Sequence, residues 1–189
     1  MSHAQIIALT DLKGYLNITT DDEDASLDPI VRAANATVER ECDRTFKTTA
    51  YADEVYDGNN SDQLVLRNYP VTLLSAVKYG LTSPFSTVDA ADYVFSSEGI
   101  ITLINGGIFD KIPRYWRITY TAGYSDTNMP SDLKWAVAEI GAFLYKMKIA
   151  GRIGITSKTA GGQVVESYLQ NFPAHVGDVL SRYKRKIFW

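Results

Sequence analysis

Apolar positions along this 189-residue chain recur first at helical spacing, then at every second residue, then at helical spacing again. Leu12 and Leu16 stand one helical turn apart, with Thr10 placed to cap a short helix whose positive end favours Asp11. The acidic run Asp21-Asp22-Glu23-Asp24 reads as a solvated helix entry, with a metal site as the competing reading. Asp24 or Ser26 is the expected cap of a second helix. Leu27, Ile30, Val31, Ala34, Val38 and Cys42 fall on one stripe of it, while Arg32, Asn35, Glu39 and Asp43 form its polar face. This helix ends near Arg44-Thr45-Phe46.

From about residue 48 to residue 124 the period is two. Val71, Leu73, Ser75, Val77 and Tyr79 share one face of an expected strand, opposite Thr72, Ala76 and Lys78. Trp116, Ile118 and Tyr120 alternate with Tyr115, Arg117 and Thr119, and Gln63 to Arg67 and Ile100 to Ile104 also read as strands. Asp57-Gly58-Asn59-Asn60, Gly80 and Asn105-Gly106-Gly107 are the turn signals between them. The stretch holds 12 of the 22 aromatic residues, as packed β-structure favours, and it shows no alternation of strand and helix.

Helix returns after Asn128-Met129-Pro130. Leu133, Val137, Ile140, Leu144 and Met147 form its apolar stripe, broadened by Trp135 and Phe143, and Gly151 is the natural stop. Residues 151–165 are rich in Gly, Ser, Thr and Lys and read as an extended or mobile arm. Pro173 then leads into a short helix with Val176, Val179, Leu180 and Tyr183 on one face. The expected class is α+β: packed α-helices with an inserted antiparallel β-rich unit, and an extended C-terminal arm ending in a short helix. The expected divisions are N-terminal helices over 1–47, the β-rich insertion over 48–125, the long helix over 126–150, and arm and tail over 151–189.

Composition changes this picture little. Hydrophobic residues at 46% and charged residues at 22% are ordinary globular values, which exclude a collagen-like or wholly disordered chain. No run of about 18 apolar residues occurs, so no membrane span is expected. Met1-Ser2-His3-Ala4-Gln5 lacks a basic, then apolar leader, and the expectation is a chain made and folded in a cytoplasm. Charge is more informative by its distribution. Residues 1–125 carry 10 basic against 17 acidic side chains, whereas residues 126–189 carry 9 against 5. An acidic body with a basic end suits head-to-tail packing of copies, or a tail docked on an acidic partner; plain surface charge is the alternative.

Candidate chemistry is sparse. His3 and His175 stand far apart, and Cys42 is the single cysteine, read as a small buried hydrophobe. No nucleophile elbow, phosphate loop, H-E-x-x-H or C-x-x-C is present, so no catalytic residue, cofactor or metal is expected. Asp57 to Asp62 has the oxygen side chains of a calcium loop but neither the later Glu nor flanking helices, and a hairpin turn accounts for it better. The C-terminus stands apart. Lys184, Arg185 and Lys186 lie between Tyr183 and Ile187-Phe188-Trp189, a mixture that interface hot spots favour. The competing reading folds Phe188 and Trp189 back on the chain's own core.

Several strings in order then resemble a known family. They are Thr10-Asp11-Leu12-Lys13, Ala33-Ala34-Asn35-Ala36-Thr37-Val38-Glu39-Arg40, Tyr56-Asp57-Gly58, Leu64-Val65-Leu66, Tyr69-Pro70-Val71 and Ser75-Ala76-Val77. Ile118-Thr119-Tyr120-Thr121-Ala122-Gly123-Tyr124 and Met129-Pro130-Ser131-Asp132-Leu133-Lys134 follow, then Gly154-Ile155-Thr156-Ser157 and a last helix ending in Tyr183-Lys184-Arg185. Together they resemble the head–tail connector (adaptor, or head-completion) proteins of tailed bacteriophages over nearly the whole chain. The resemblance implies a non-enzymatic virion subunit in a ring, usually twelvefold, beneath the portal in the phage neck. It implies the portal and the next neck or tail protein as partners, with genomic DNA passing through the lumen unread and no membrane. A tail-completion or neck protein one layer lower is the alternative, and a β-domain binding module or enzyme a more distant one. C-terminal segments of the family reach the portal, so Tyr168, Phe172, Arg182, Tyr183, Lys184, Arg185, Lys186, Ile187, Phe188 and Trp189 are the expected portal-binding residues.

Overall fold

The computed structural model describes residues 5–149, 157–160, 163–167 and 174–185. The fold is α+β, and the chain forms two compact units. Met1–Asp43 and Met129–Lys184 make up the helical one, and Arg44–Asn128 forms the body of the β one between them in sequence.

The helical unit contains α1 (Leu9–Leu16), α2 (Asp24–Cys42), α3 (Ser131–Ile149) and α4 (Ala174–Tyr183). The stripe expected for α2 is buried in full, from Leu27 to Cys42. Helix α2 runs antiparallel to α3: the Tyr145 hydroxyl donates to Glu23 at 2.5 Å, and Lys148 Nζ lies 3.5 Å from the Ser26 carbonyl. Helix α1 crosses α3 at Gly141, where a Cβ would sit 3.0 Å from Leu12 Cδ1, so the small residue sets the closeness of approach. Helix α4 lies on α3 and α2 through Val176 and Leu180, both buried, and the Cys42 thiol points at the Leu180 carbonyl (3.6 Å).

Both expected caps are displaced. Helix α1 starts at Leu9 with Ala8 in the capping position, because Asp11 reaches back to accept from the Ala8 N–H at 2.7 Å. Glu23 precedes α2 without a side-chain cap, and Ser26 Oγ donates to the Glu23 carbonyl at 3.1 Å instead. Asn35, assigned to the polar face, is 6% exposed. Its Oδ1 accepts from the N–H groups of Ile6 (2.6 Å) and Ile7 (3.1 Å), and its Nδ2 donates to the carbonyls of Ile7 (3.2 Å) and Val31 (2.8 Å). The amide thus serves an extended segment that would otherwise bury unpaired backbone. Trp135, expected to broaden the stripe of α3, is instead 43% exposed, its ring tilted against His175 with centroids 5.3 Å apart.

The β unit pairs β1 (Thr49–Tyr56), β7 (Trp116–Ala122), β3 (Val71–Tyr79) and β4 (Ser86–Thr87) in that order, and β2 (Gln63–Val65), β6 (Ile100–Leu103) and β5 (Tyr93–Phe95) in a second sheet. All these ladders are antiparallel. Leu64, Ile101 and Leu103 from the smaller sheet share one core with Val77, Trp116 and Ile118 from the larger. Strand β7 alternates without fault: Trp116, Ile118, Tyr120 and Ala122 are buried. Strand β3 does not. Register shifts between Val71 and Leu73 and between Leu74 and Ala76 turn Leu74 inward (9% exposed) and Leu73 outward (54%), so the expected uniform face fails in its middle.

The turn at Asp57 to Asn60 is also corrected. It joins strands of different sheets, because β1 pairs with β7 and β2 with β6, so it closes no hairpin. Gly58 is required there, since a Cβ would lie 1.7 Å from the Asp110 carbonyl oxygen. In the arm, Ser157–Ala160 (β8) and Gln163–Ser167 (β9) pair antiparallel, giving order to a stretch that lacks an apolar period.

Candidate functional site

The expected contact surface centres on the end of α4. Val176 and Leu180 seat this helix, which leaves Arg182 and Lys184 exposed and Tyr183 and Arg185 half-buried. The Tyr183 hydroxyl donates to Asp132 Oδ1 at 2.6 Å, and the same oxygen accepts from the Leu133 N–H at 2.9 Å, at the start of α3. One expected contact residue is thereby an internal anchor that fixes where the basic end begins. At the other end of α4, His175 Nε2 meets Glu139 Oε1 at 2.7 Å beside the Trp135 ring. The structure thus brings together Arg182, Tyr183, Lys184 and Arg185. Tyr168, Phe172, Lys186, Ile187, Phe188 and Trp189 lie outside the described residues.

The acidic run before α2 is tied down from within. Lys13 Nζ contacts Asp21 Oδ1 (2.6 Å) and Asp24 Oδ1 (2.7 Å). The hydrogen bond that Lys13 donates to Asp21 lowers the carboxylate's pKa and raises the lysine's. Among the described residues no group of three or more His, Cys, Asp or Glu side chains converges as a metal site, and no helix is long and apolar enough to cross a membrane.

A polar cluster inside the β unit escaped the sequence reading. Glu54 Oε2 accepts from the hydroxyls of Tyr56 (2.6 Å) and Tyr120 (2.5 Å), which stand 3.2 Å apart. Arg67 pairs with the other carboxylate oxygen at 3.1 Å, donates to the Val55 carbonyl and stacks over the Tyr56 ring. Burial, reinforced by the nearby carboxylate, pushes both phenols well above the ordinary tyrosine range. The cluster ties β1, β7 and the segment after β2 into one register, a structural role. Its only sequence signal was a carboxylate set between Tyr51 and Tyr56 on a strand.

A family model described as head completion protein matches residues 5–186. No curated protein matches the chain. Among solved structures, the neck of an empty gene transfer agent particle computed with C6 symmetry is similar at TM-score 0.67 and 18% identity, covering 100% of this chain and 95% of that one. The neck of the native particle computed with C12 symmetry is similar at TM-score 0.56 and 20% identity, covering 100% and 98%. A chain of the native virion matches at TM-score 0.60 and 18% identity, over 97% and 92%. At these identities the solved structures speak to the fold. With nearly its whole length inside the family model, the chain belongs to the head completion protein family, as a structural subunit of the head–tail connector.

Proposed function

We propose that this chain assembles as a closed ring of twelve copies between the portal and the tail of a virion neck, and that its role is structural and not catalytic. The observation that carries this reading is the family match over residues 5–186. Similarity over full chain lengths to subunits of particle necks computed with C6 and C12 symmetry supports it. A ring of identical copies needs a heterologous interface, in which two different patches of the subunit meet. The C-terminal segment from Tyr168 to Trp189 is the part we assign to the portal, as the family resemblance implies, and its cations and aromatics suit a protein interface. The next neck or tail protein meets the opposite side of the ring, and DNA crosses the lumen without sequence-specific contacts.

Reconstituting the purified chain with portal and imaging the product tests the reading. A ring capping the portal is the expected result. A chain that stays monomeric with portal and never enters procapsids would overturn it.

A further inference from the structure

Four strand edges of the β unit face away from their sheets, and they are not alike. Strand β1 is interrupted by a register shift between Tyr51 and Glu54, carries Asp53 at φ 50°, and pairs that residue with Lys78. Strand β4 is two polar residues, Ser86 and Thr87. The approach to β2 is occupied where the Phe109 N–H donates to the Ser61 carbonyl at 2.7 Å. Bulges, charges, shortness and cover are the means by which natural sheets keep an edge from pairing.

Strand β5, Tyr93-Val94-Phe95, has no charge, proline or bulge of its own. Ile104 N–H donates to the Asp92 carbonyl and Ser96 N–H to the Ile100 carbonyl, so alternate residues point their backbone at β6. By that alternation the N–H and C=O groups of Tyr93 and Phe95 point outward, to an edge that no other strand among the described residues pairs with. Val94 and Phe95 are 54% and 43% exposed. At the Tyr93 end lies a pocket of about 250 Å³ lined by Val88, Asp92, Leu103, Ile104, Asn105 and Gly107, roomy enough for one aromatic side chain. Residues 79–110 contain no Lys or Arg but hold Asp89, Asp92, Glu98 and Asp110.

We propose that this edge receives the C-terminal segment Lys184–Trp189 of a neighbouring copy as an added strand. The segment has three cations, no acid, and a β-branched and aromatic end, which complements an apolar edge with an acidic rim. Backbone pairing with Tyr93 and Phe95 sets the register, and an aromatic residue of the tail fills the pocket beside Asp92. The two surfaces differ, as a closing ring requires, and this inference rests on the ring reading for its choice of occupant. With Lys184–Trp189 held on the ring, the portal contact falls to the part of the C-terminal segment that precedes it.

The test mixes equal amounts of ¹⁴N- and ¹⁵N-labelled full-length chain, assembles them on portal, and applies a zero-length carboxyl–amine cross-linker. Mixed-isotope links from Lys184 or Lys186 to Asp89 or Asp92 are expected. Val94→Lys, at an exposed position, should reduce them about tenfold or more by placing a cation on the edge, and Trp189→Ala should do so by emptying the pocket. Links only within one isotope, no links, or links unchanged in both variants would overturn the proposal. Rings seen by electron microscopy without these links sink this inference alone. Mixed links in samples that never form a ring on portal sink the ring reading instead.

Discussion

Asn35 of the helical unit and Glu54 of the β unit both gather hydrogen bonds away from solvent, yet they hold different things. Asn35 is neutral and serves backbone: two N–H groups and two carbonyls, three of these four groups belonging to Ile6 and Ile7, at least 28 residues away. Glu54 is a carboxylate and serves side chains, two phenols and a guanidinium contributed by three separate segments. The first fastens a strand-less segment onto a helix that its own apolar stripe already seats. The second fixes the register among segments whose local pattern does not. Raising the pH should therefore loosen the Glu54 cluster, whose donors include two buried phenols, and leave the Asn35 anchor, which has no titrating partner, in place.

Peptide-resolved hydrogen exchange, which reads each unit separately, is the way to break that comparison. The largest effect should come from Gly123→Ala. Gly123 sits at φ 114° and its Cβ would lie 2.4 Å from the Lys47 carbonyl oxygen, so the β unit should lose about 4 kcal/mol while the helices keep their protection. Asn35→Leu should destabilise the helical unit by about 3 kcal/mol, measured by urea unfolding, because backbone groups of Ile6 and Ile7 lose buried partners. An effect below about 1 kcal/mol would show that those groups find water instead.

Glu54→Gln should cost the β unit about 2 kcal/mol, since an amide cannot accept from both phenols and pair with Arg67 at once. The same cluster dictates a pH response. Tyr56 and Tyr120 have folded pKa values raised above the unfolded value of 10.0, so the folded state holds those protons more tightly. Their contribution is whole below pH 10 and is lost as pH rises beyond it. Alkaline titration followed by phenolate absorbance should show these two tyrosines ionising only with unfolding of the β unit. Should they ionise with the exposed tyrosines, the burial argument fails. The smallest effect is expected for Tyr183→Phe, about 1 kcal/mol from the bond to Asp132. A larger loss of ring assembly than of stability in that variant would mean that the end of α4 matters chiefly as a contact.

The helices were legible because their apolar stripes are encoded within a few turns: Leu27 to Cys42 and Val176 to Leu180 are buried as their spacing requires. Asn35 was misplaced because pattern alone counts an amide as polar, and its partners lie far off in the chain. In the β unit, β7 was readable as a central strand with strict alternation. The faces of β3 were not, since two residues, Thr72 and Ser75, are extra in its pairing with β7, and a period-two pattern does not announce such bulges. The turn at Asp57 looked like a hairpin for a different reason. Local residues state that the chain turns, but the pairing of Tyr56 with Trp116 is settled 60 residues later. At the C-terminus, the family resemblance carried the role, and the anchoring of Tyr183 to Asp132 appeared only with the packing of α4.

One feature of the β unit bears on how such a subunit is remodelled. The chain enters through Phe46-Lys47-Thr48 and leaves through Tyr124, and these are paired: the Tyr124 N–H donates to the Phe46 carbonyl (2.7 Å) and the Thr48 N–H to the Tyr124 carbonyl (3.1 Å). Both ends of the insertion therefore meet at one doorway. Everything from Thr49 to Ala122 hangs from that latch, so it can be lengthened, trimmed or exchanged for another folded cassette without re-spacing the residues that flank it. A connector lineage could change what its β unit touches while leaving the helical unit's sequence untouched.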